Sequence, residues 1–227
     1  MNGHVIAIIG AESTGKTMLA AALAARVTAA TGLSCALVSE YLREWCEREA
    51  RTPRADEQRA IATEQQRRID AATTTHAVVV ADTTPLMTAV YSQLLFNDHS
   101  LLPLALASQR RVSLTLLTAV DLPWVPDGLH RDGAQVRQPV DQALRARLVE
   151  AGLSWSVVGG AGAARLEQAF YAASPLLAAL ALPSERSAGL FGRLAARDAA
   201  MPVWQWVCET CDVPDCEHAA LQSLQRG

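Results

Sequence analysis

Short apolar runs recur along the chain, and each is followed by a longer stretch whose apolar residues return at helical spacing. The runs at residues 5–9, 35–39, 77–81, 113–118 and 155–158 are too short for helices, so they predict strands, buried on both faces. Between them, residues 16–31, 55–73, 86–96, 101–108, 139–150 and 163–173 predict helices, and residues 41–50 a short helix or lid. Gly32 and Gly152 supply helix stops, and Pro139 falls near a first turn, where its missing N–H costs nothing. Strands alternating with helices predict an α/β fold with a parallel five-stranded sheet and helices on both faces, a three-layer arrangement. Ligands of such sheets bind beyond the carboxyl ends of the strands. Glu40, Asp82, Asp121 and Gly159 all fall at those ends.

The first strand leads into the densest chemistry. Gly10-Ala11-Glu12-Ser13-Thr14-Gly15-Lys16-Thr17 stands between an apolar run and a helical pattern, the context of a phosphate-binding loop. Gly10 allows a tight exit from a buried strand, and Gly15 lets backbone approach a phosphate where a Cβ would intrude. The loop N–H groups then face phosphate oxygens. Lys16 is expected to bridge the β- and γ-phosphates of ATP, and Thr17 to hold Mg²⁺. Lys16 is also the only lysine in the chain. A compact ammonium on a flexible stem suits a point contact between phosphates in a way guanidinium does not. The fold expected is therefore that of a P-loop NTPase.

Two carboxylates complete a kinase-like set. Glu40 is placed to orient an attacking hydroxyl and accept its proton. Asp82, at the end of the most apolar run, is placed to bind Mg²⁺. The two can exchange these roles, and each can instead cap a helix. Arg43 and Glu44 read either as part of a diol or phosphate site or as a solvated helix face. Arg131 and Arg137, in a Gly/Asp-rich loop between the fourth strand and a helix, read as lid arginines that close on the transferring phosphate, or as surface residues. Trp124 either stacks on a ring or wedges its loop against the body.

Composition narrows the class. The chain has 227 residues, half of them apolar, and a net charge of −3. That is enough for one well-packed domain with an appendage. No basic block argues for nucleic acid as a partner, and no run is long enough for a membrane span. Five cysteines beside a phosphate loop fit a reducing cytoplasm. Residues 1–174 are expected to form the kinase domain and residues 175–227 a helical extension, with Pro175 and Pro183 bracketing one helix and residues 186–200 forming another. The tail carries Cys208, Cys211, Cys216 and His218, a donor set for tetrahedral zinc, for free or redox-active thiols, or for a disulfide. A zinc site this compact would be strained, or would borrow a ligand such as Cys35 or Cys46, or one from a second copy. Trp204 and Trp206 either pack the tail on the body or form a partner surface, which leaves a homo-oligomer open.

Several blocks in order resemble the ribosylnicotinamide kinase domain at the C-terminus of bacterial NadR proteins: Gly10 to Thr17; Ser39-Glu40-Tyr41-Leu42-Arg43-Glu44; Ala81-Asp82-Thr83; and Asp121-Leu122-Pro123-Trp124-Val125-Pro126-Asp127-Gly128-Leu129. The segment from Gly159 to Arg165, with Gly160, resembles the family's closing adenine-side stretch. The likeness covers residues 3 to 172. It implies a nucleoside/nucleotide kinase-like fold, ATP and Mg²⁺, and phosphorylation of the 5′-hydroxyl of nicotinamide riboside to nicotinamide mononucleotide. It also implies that Glu40, Tyr41, Arg43, Asp82, Asp121, Trp124 and Asp127 line the riboside end. The chain departs from the pattern where His130 precedes Arg131. It starts almost at the first strand, so no accompanying adenylyltransferase or DNA-binding domain is expected. Two other readings stand beside this one: a different nucleoside or nucleotide kinase, and an ATP-binding regulatory module without small-molecule kinase activity.

Overall fold

A computed structural model describes residues 3–124 and 134–181. In chain order these form β1 (His4–Ile9), α1 (Lys16–Thr31), β2 (Cys35–Val38), α2 (Tyr41–Glu49), α3 (Gln58–Thr73), β3 (Val78–Asp82), α4 (Pro85–Phe96), α5 (Leu102–Gln109), β4 (Leu114–Thr118), α6 (Arg137–Glu150), β5 (Ser156–Val158) and α7 (Gly162–Leu180). Short 3₁₀ turns, Ala55–Glu57 and Ala134–Val136, lead into α3 and α6. The five strands are parallel, in the order β2-β3-β1-β4-β5.

Strand β1 sits at the centre because it is apolar on both faces: Ile6, Ala7, Ile8 and Ile9 are wholly buried. Val5 packs with Val79, Ala81 and Ile69 of α3, and Ile9 with Leu86, Val90, Leu117 and Leu144 under α4 and α6. Side chains alternate along a strand, so Ile6, Ile8, Val78 and Val80 are left for the opposite face, where α1 packs on the sheet and against α7. Helix α1 presents Leu19, Leu23 and Val27 there, a stripe at four-residue spacing. The three layers expected from alternating strands and helices are observed, and no described helix is long and apolar enough to cross a membrane.

Two elements differ from their sequence patterns. The third strand runs one residue further, so Asp82 is its last residue and lies level with Ile8 of β1. The helix expected at residues 163–173 does not stop before Pro175; α7 continues to Leu180 with the proline inside it. Proline removes the N–H that would reach the carbonyl four residues back. That carbonyl belongs to Tyr171, and the Ser174 hydroxyl donates to it at 2.7 Å instead. The serine before the proline thus supplies the missing donor. The expected helix at residues 186–200 and the cysteine tail lie outside the described residues.

Candidate active site

The phosphate loop is shaped by residues that only its own sequence tolerates. Gly10 has φ 148°, and a Cβ there would come within 2.0 Å of Thr118 Oγ1. Thr14 Oγ1 donates to the Ala11 carbonyl at 2.7 Å and lies 2.7 Å from Thr118 Oγ1, which reaches the Ile9 carbonyl at 3.2 Å. The end of β4 therefore holds the loop closed from beneath. Ser13 and Gly15 take left-handed backbone, φ 51° and 72°, and curl the chain into the N-terminus of α1. Leu122, after β4, covers Gly15: a Cβ would stand 3.3 Å from its Cδ1. Lys16 is buried, and its Nζ donates to the Ala11 carbonyl at 2.8 Å. Thr17, the next residue, is exposed.

Asp82 faces this loop from β3. It is 1 % exposed, and neither carboxylate oxygen makes a hydrogen bond among the described residues. Burial raises its pKa above the usual carboxylate range, while the Thr17 hydroxyl and the charges of Lys16 and Arg43 oppose that rise. The hydroxyl is near enough to favour the ionised form yet does not reach hydrogen-bond geometry. A buried carboxylate with empty lone pairs, next to a threonine hydroxyl at the head of a phosphate loop, is a fitting donor set for Mg²⁺ with its waters.

Glu40 occupies the N-cap position of α2 and makes no cap hydrogen bond there, so the capping alternative is not realised. Its carboxylate is 3.9 Å from Arg43 Nε. Arg43 thus stands between the two carboxylates, paired with one and acting electrostatically on the other. Glu44 turns away: it pairs with Arg68 of α3 at 2.7 Å and is exposed, which realises the solvated-face reading for this residue. Tyr41 packs under the Arg68 guanidinium, 4.4 Å from its ring centroid, and its N–H donates to Gln65 Oε1 at 2.7 Å. Gln65 is buried and also reaches the Ser39 carbonyl at 3.4 Å, so this α3 side chain fixes the turn that presents Glu40.

On the other side of β1, Asp121 follows β4 and accepts from the Gly160 N–H and from Arg165 Nη1 at 3.3 Å. Arg165, in the first turns of α7, is 4 % exposed. Its Nη1 also donates to the Gly160 carbonyl and its Nη2 to the Thr14 carbonyl, each at 2.8 Å. Burial works against the guanidinium charge and Asp121 offsets it. One side chain therefore joins the phosphate loop, the loop after β4 and the glycine turn after β5. Asp121, expected at the riboside end from the resemblance, is engaged in this clamp. Gly160 (φ 74°) has both its backbone polar groups used by it. Sequence reasoning named Arg165 only as part of the closing segment and gave it no role, because an arginine early in a helix carries no signal of burial.

Arg137 opens α6 and is 7 % exposed, with Nε and Nη2 lacking hydrogen bonds among the described residues. Trp124 is half-buried, its indole Nε1 likewise unbonded among them. Asp127, Arg131, Cys208, Cys211, Cys216 and His218 lie outside the described residues. Among the described residues no cluster of three metal-ligating side chains occurs. Cys35, on edge strand β2, and Cys46, packed with Trp45 and Ile61, are free thiols that burial pushes up to about 11.

The Arg165 clamp yields an expected outcome of its own. Arg165→Lys keeps the charge but loses the fork that spans three acceptors. It should weaken nucleotide binding by about tenfold, with a stability loss of about 2 kcal/mol. Calorimetric titration and urea unfolding would check both; an unchanged variant would remove the clamp's significance.

Comparison with known proteins places this geometry. A family model described as an AAA domain matches residues 5–165. A search of curated proteins gives no match. Among solved structures, NadR protein in complex with NAD and AMP-PNP aligns with TM-score 0.62 at 23 % identity, covering 78 % of this chain and 50 % of that one. NadR protein in complex with NR aligns with TM-score 0.61 at 24 % identity, covering 76 % and 50 %. Thymidylate kinase from Ehrlichia chaffeensis aligns with TM-score 0.52 at 12 % identity, covering 79 % of this chain and 100 % of that one. The chain thus spans about half the length of the NadR structures it matches, and at these identities the likeness is one of fold.

Proposed function

This chain belongs to the AAA domain family, and from that premise we propose that it is an ATP- and Mg²⁺-dependent kinase. The acceptor we assign is the 5′-hydroxyl of nicotinamide riboside, giving nicotinamide mononucleotide in pyridine nucleotide salvage. The observation that carries the kinase reading is Asp82, a buried carboxylate without hydrogen-bond partners among the described residues, set beside Lys16 and Thr17 at the phosphate loop. The riboside assignment is supported by the ordered sequence blocks and by a fold like that of NadR proteins crystallised with NR and with AMP-PNP.

In this reading the backbone of residues 10–17 cradles the phosphates and Lys16 exchanges its Ala11 carbonyl contact for phosphate oxygens. Thr17 and Asp82 would hold Mg²⁺, which would supply charge neutralisation at the phosphates. Glu40 is taken as the group that orients the acceptor hydroxyl and receives its proton, because Asp82 is the deeper carboxylate beside Thr17. Arg43, whose Nε lies 3.9 Å from the Glu40 carboxylate, would hold that carboxylate in place. Arg137, with two buried donors unbonded among the described residues, would meet charge on the transferring group, and Arg131 is assigned the same role. Trp124 and Tyr41 would border the riboside, and the sequence resemblance assigns Asp127 to the same end.

One observation favours a different acceptor: the fold match spans the whole of a thymidylate kinase but half of NadR. A panel of ribosides and nucleotides incubated with the protein and Mg-ATP, followed by mass spectrometry, separates the two. Nicotinamide mononucleotide from the riboside is expected, and Lys16→Ala should cut its formation by about a hundredfold or more. Product from another acceptor alone would keep the chemistry and overturn the riboside. ATP bound without any product would favour a regulatory module.

A further inference from the structure

The turn after β3 carries a conformation its residue disfavours. Thr83 has φ 71° and is 4 % exposed. Left-handed backbone is a genuine outlier for a β-branched side chain, because Cβ and both its substituents crowd the neighbouring peptide groups. Such a residue persists only where its surroundings over-determine it. Here they do. The Thr83 N–H donates to the Ile8 carbonyl at 3.0 Å, tying the turn to β1. Thr84 Oγ1 donates to Gln109 Oε1 at 2.7 Å, and Gln109 Nε2 donates to Thr115 Oγ1 at 2.9 Å. Thr84, Gln109 and Thr115 are all at least 95 % buried. A polar chain through the core therefore ties the turn to the last residue of α5 and to β4. The residue directly before Thr83 is Asp82, whose oxygens have no hydrogen bonds among the described residues to hold them.

We propose that the strained Thr83–Thr84 corner, locked by Gln109, is the device that aims the Asp82 carboxylate at the phosphate loop. This rests on the kinase reading. Among the described residues the Asp82 carboxylate has no hydrogen bond of its own to direct it, so its direction is set through its backbone. Gln109 and Thr83 are positioning residues in this scheme and touch no ligand.

The test compares Thr83→Gly with Thr83→Ala, since both remove the hydroxyl and methyl and only alanine keeps the Cβ that makes left-handed backbone costly. Melting of the ligand-free protein and calorimetric titration with Mg²⁺ and AMP-PNP are measured for both and for Gln109→Leu. Thr83→Gly is expected to melt about 3 °C above Thr83→Ala and yet bind Mg·AMP-PNP about tenfold more weakly, because the corner can relax. Gln109→Leu should melt below wild type and also bind about tenfold more weakly. A merely structural role predicts that affinity stays level across the set. Wild type that binds, with the glycine variant binding as tightly as the alanine variant, overturns the corner's role alone. Wild type that does not bind AMP-PNP overturns the kinase reading and the corner's role together. If Gln109→Leu does not fold, the Thr83 pair decides.

Discussion

Replacing Asp82 by Asn is expected to make the ligand-free protein more stable and to cut phosphoryl transfer by about a hundredfold or more. The two effects share one cause. Burial raises the Asp82 pKa in the fold above its value in the unfolded chain. For such a group the stabilising contribution is complete below the unfolded pKa and is lost as pH rises through the folded one. At neutral pH the ionised carboxylate therefore costs stability, and an amide of the same shape does not. A gain of about 1 kcal/mol is the usual size of relief at a functional site. Urea unfolding of both proteins from acid to neutral pH should show the curves meeting at low pH and separating as pH rises, wild type falling below the variant. Saturating Mg²⁺ and nucleotide should reverse the order by binding wild type preferentially. Curves that stay parallel at every pH would mean that burial does not strain this carboxylate.

Gly10→Ala should be strongly damaging for a change of one methyl. The new Cβ would meet Thr118 Oγ1 at 2.0 Å and the Thr118 backbone carbonyl at 3.1 Å, on backbone at φ 148°. Thr118 is wholly buried and engaged with Thr14 and Ile9, so it has no direction in which to yield. Overpacking and backbone strain together put the cost at about 3 kcal/mol or more. Gly32→Ala is the matching control. Gly32 ends α1 at φ 71° with nothing within 4 Å of a new Cβ, so only the backbone preference is lost, about 1 kcal/mol. Equal shifts in urea midpoint for the two variants would contradict the packing argument.

The strands and the phosphate loop were legible because their signals are local. An apolar run flanked by glycine and a helical pattern says where β1 ends and α1 begins, and a parallel sheet then puts Glu40 and Asp82 at one rim. What sequence reading lost were arrangements made across distance. Pro175 reads as a helix boundary, and only the Ser174 hydroxyl at the Tyr171 carbonyl shows why the helix survives it. Arg165, Gln65 and Gln109 are polar residues within helices or at their ends, where patterning assigns them to solvent. Each is buried because its partners are backbone carbonyls, amides and hydroxyls contributed by other elements. The Arg43-Glu44 pair illustrates the same limit. Adjacent charges look like one unit in sequence, but a helix turns successive side chains by a large angle, and the two end in different surroundings.

The loop's supports set a schedule for its assembly during synthesis. Its floor joins Thr14 to Thr118 across 104 positions, and its clamp joins Thr14 to Arg165 across 151. The phosphate-loop segment is translated well before both of its supports, so floor and clamp cannot close until the chain has been made through Arg165. A nascent chain thus carries the signature of a nucleotide site long before it can use nucleotide as a folding ligand. On the proposed reading, ATP would rescue destabilised variants only once β4 and α7 have docked, and damage to either support should appear first as poor accumulation of newly made protein.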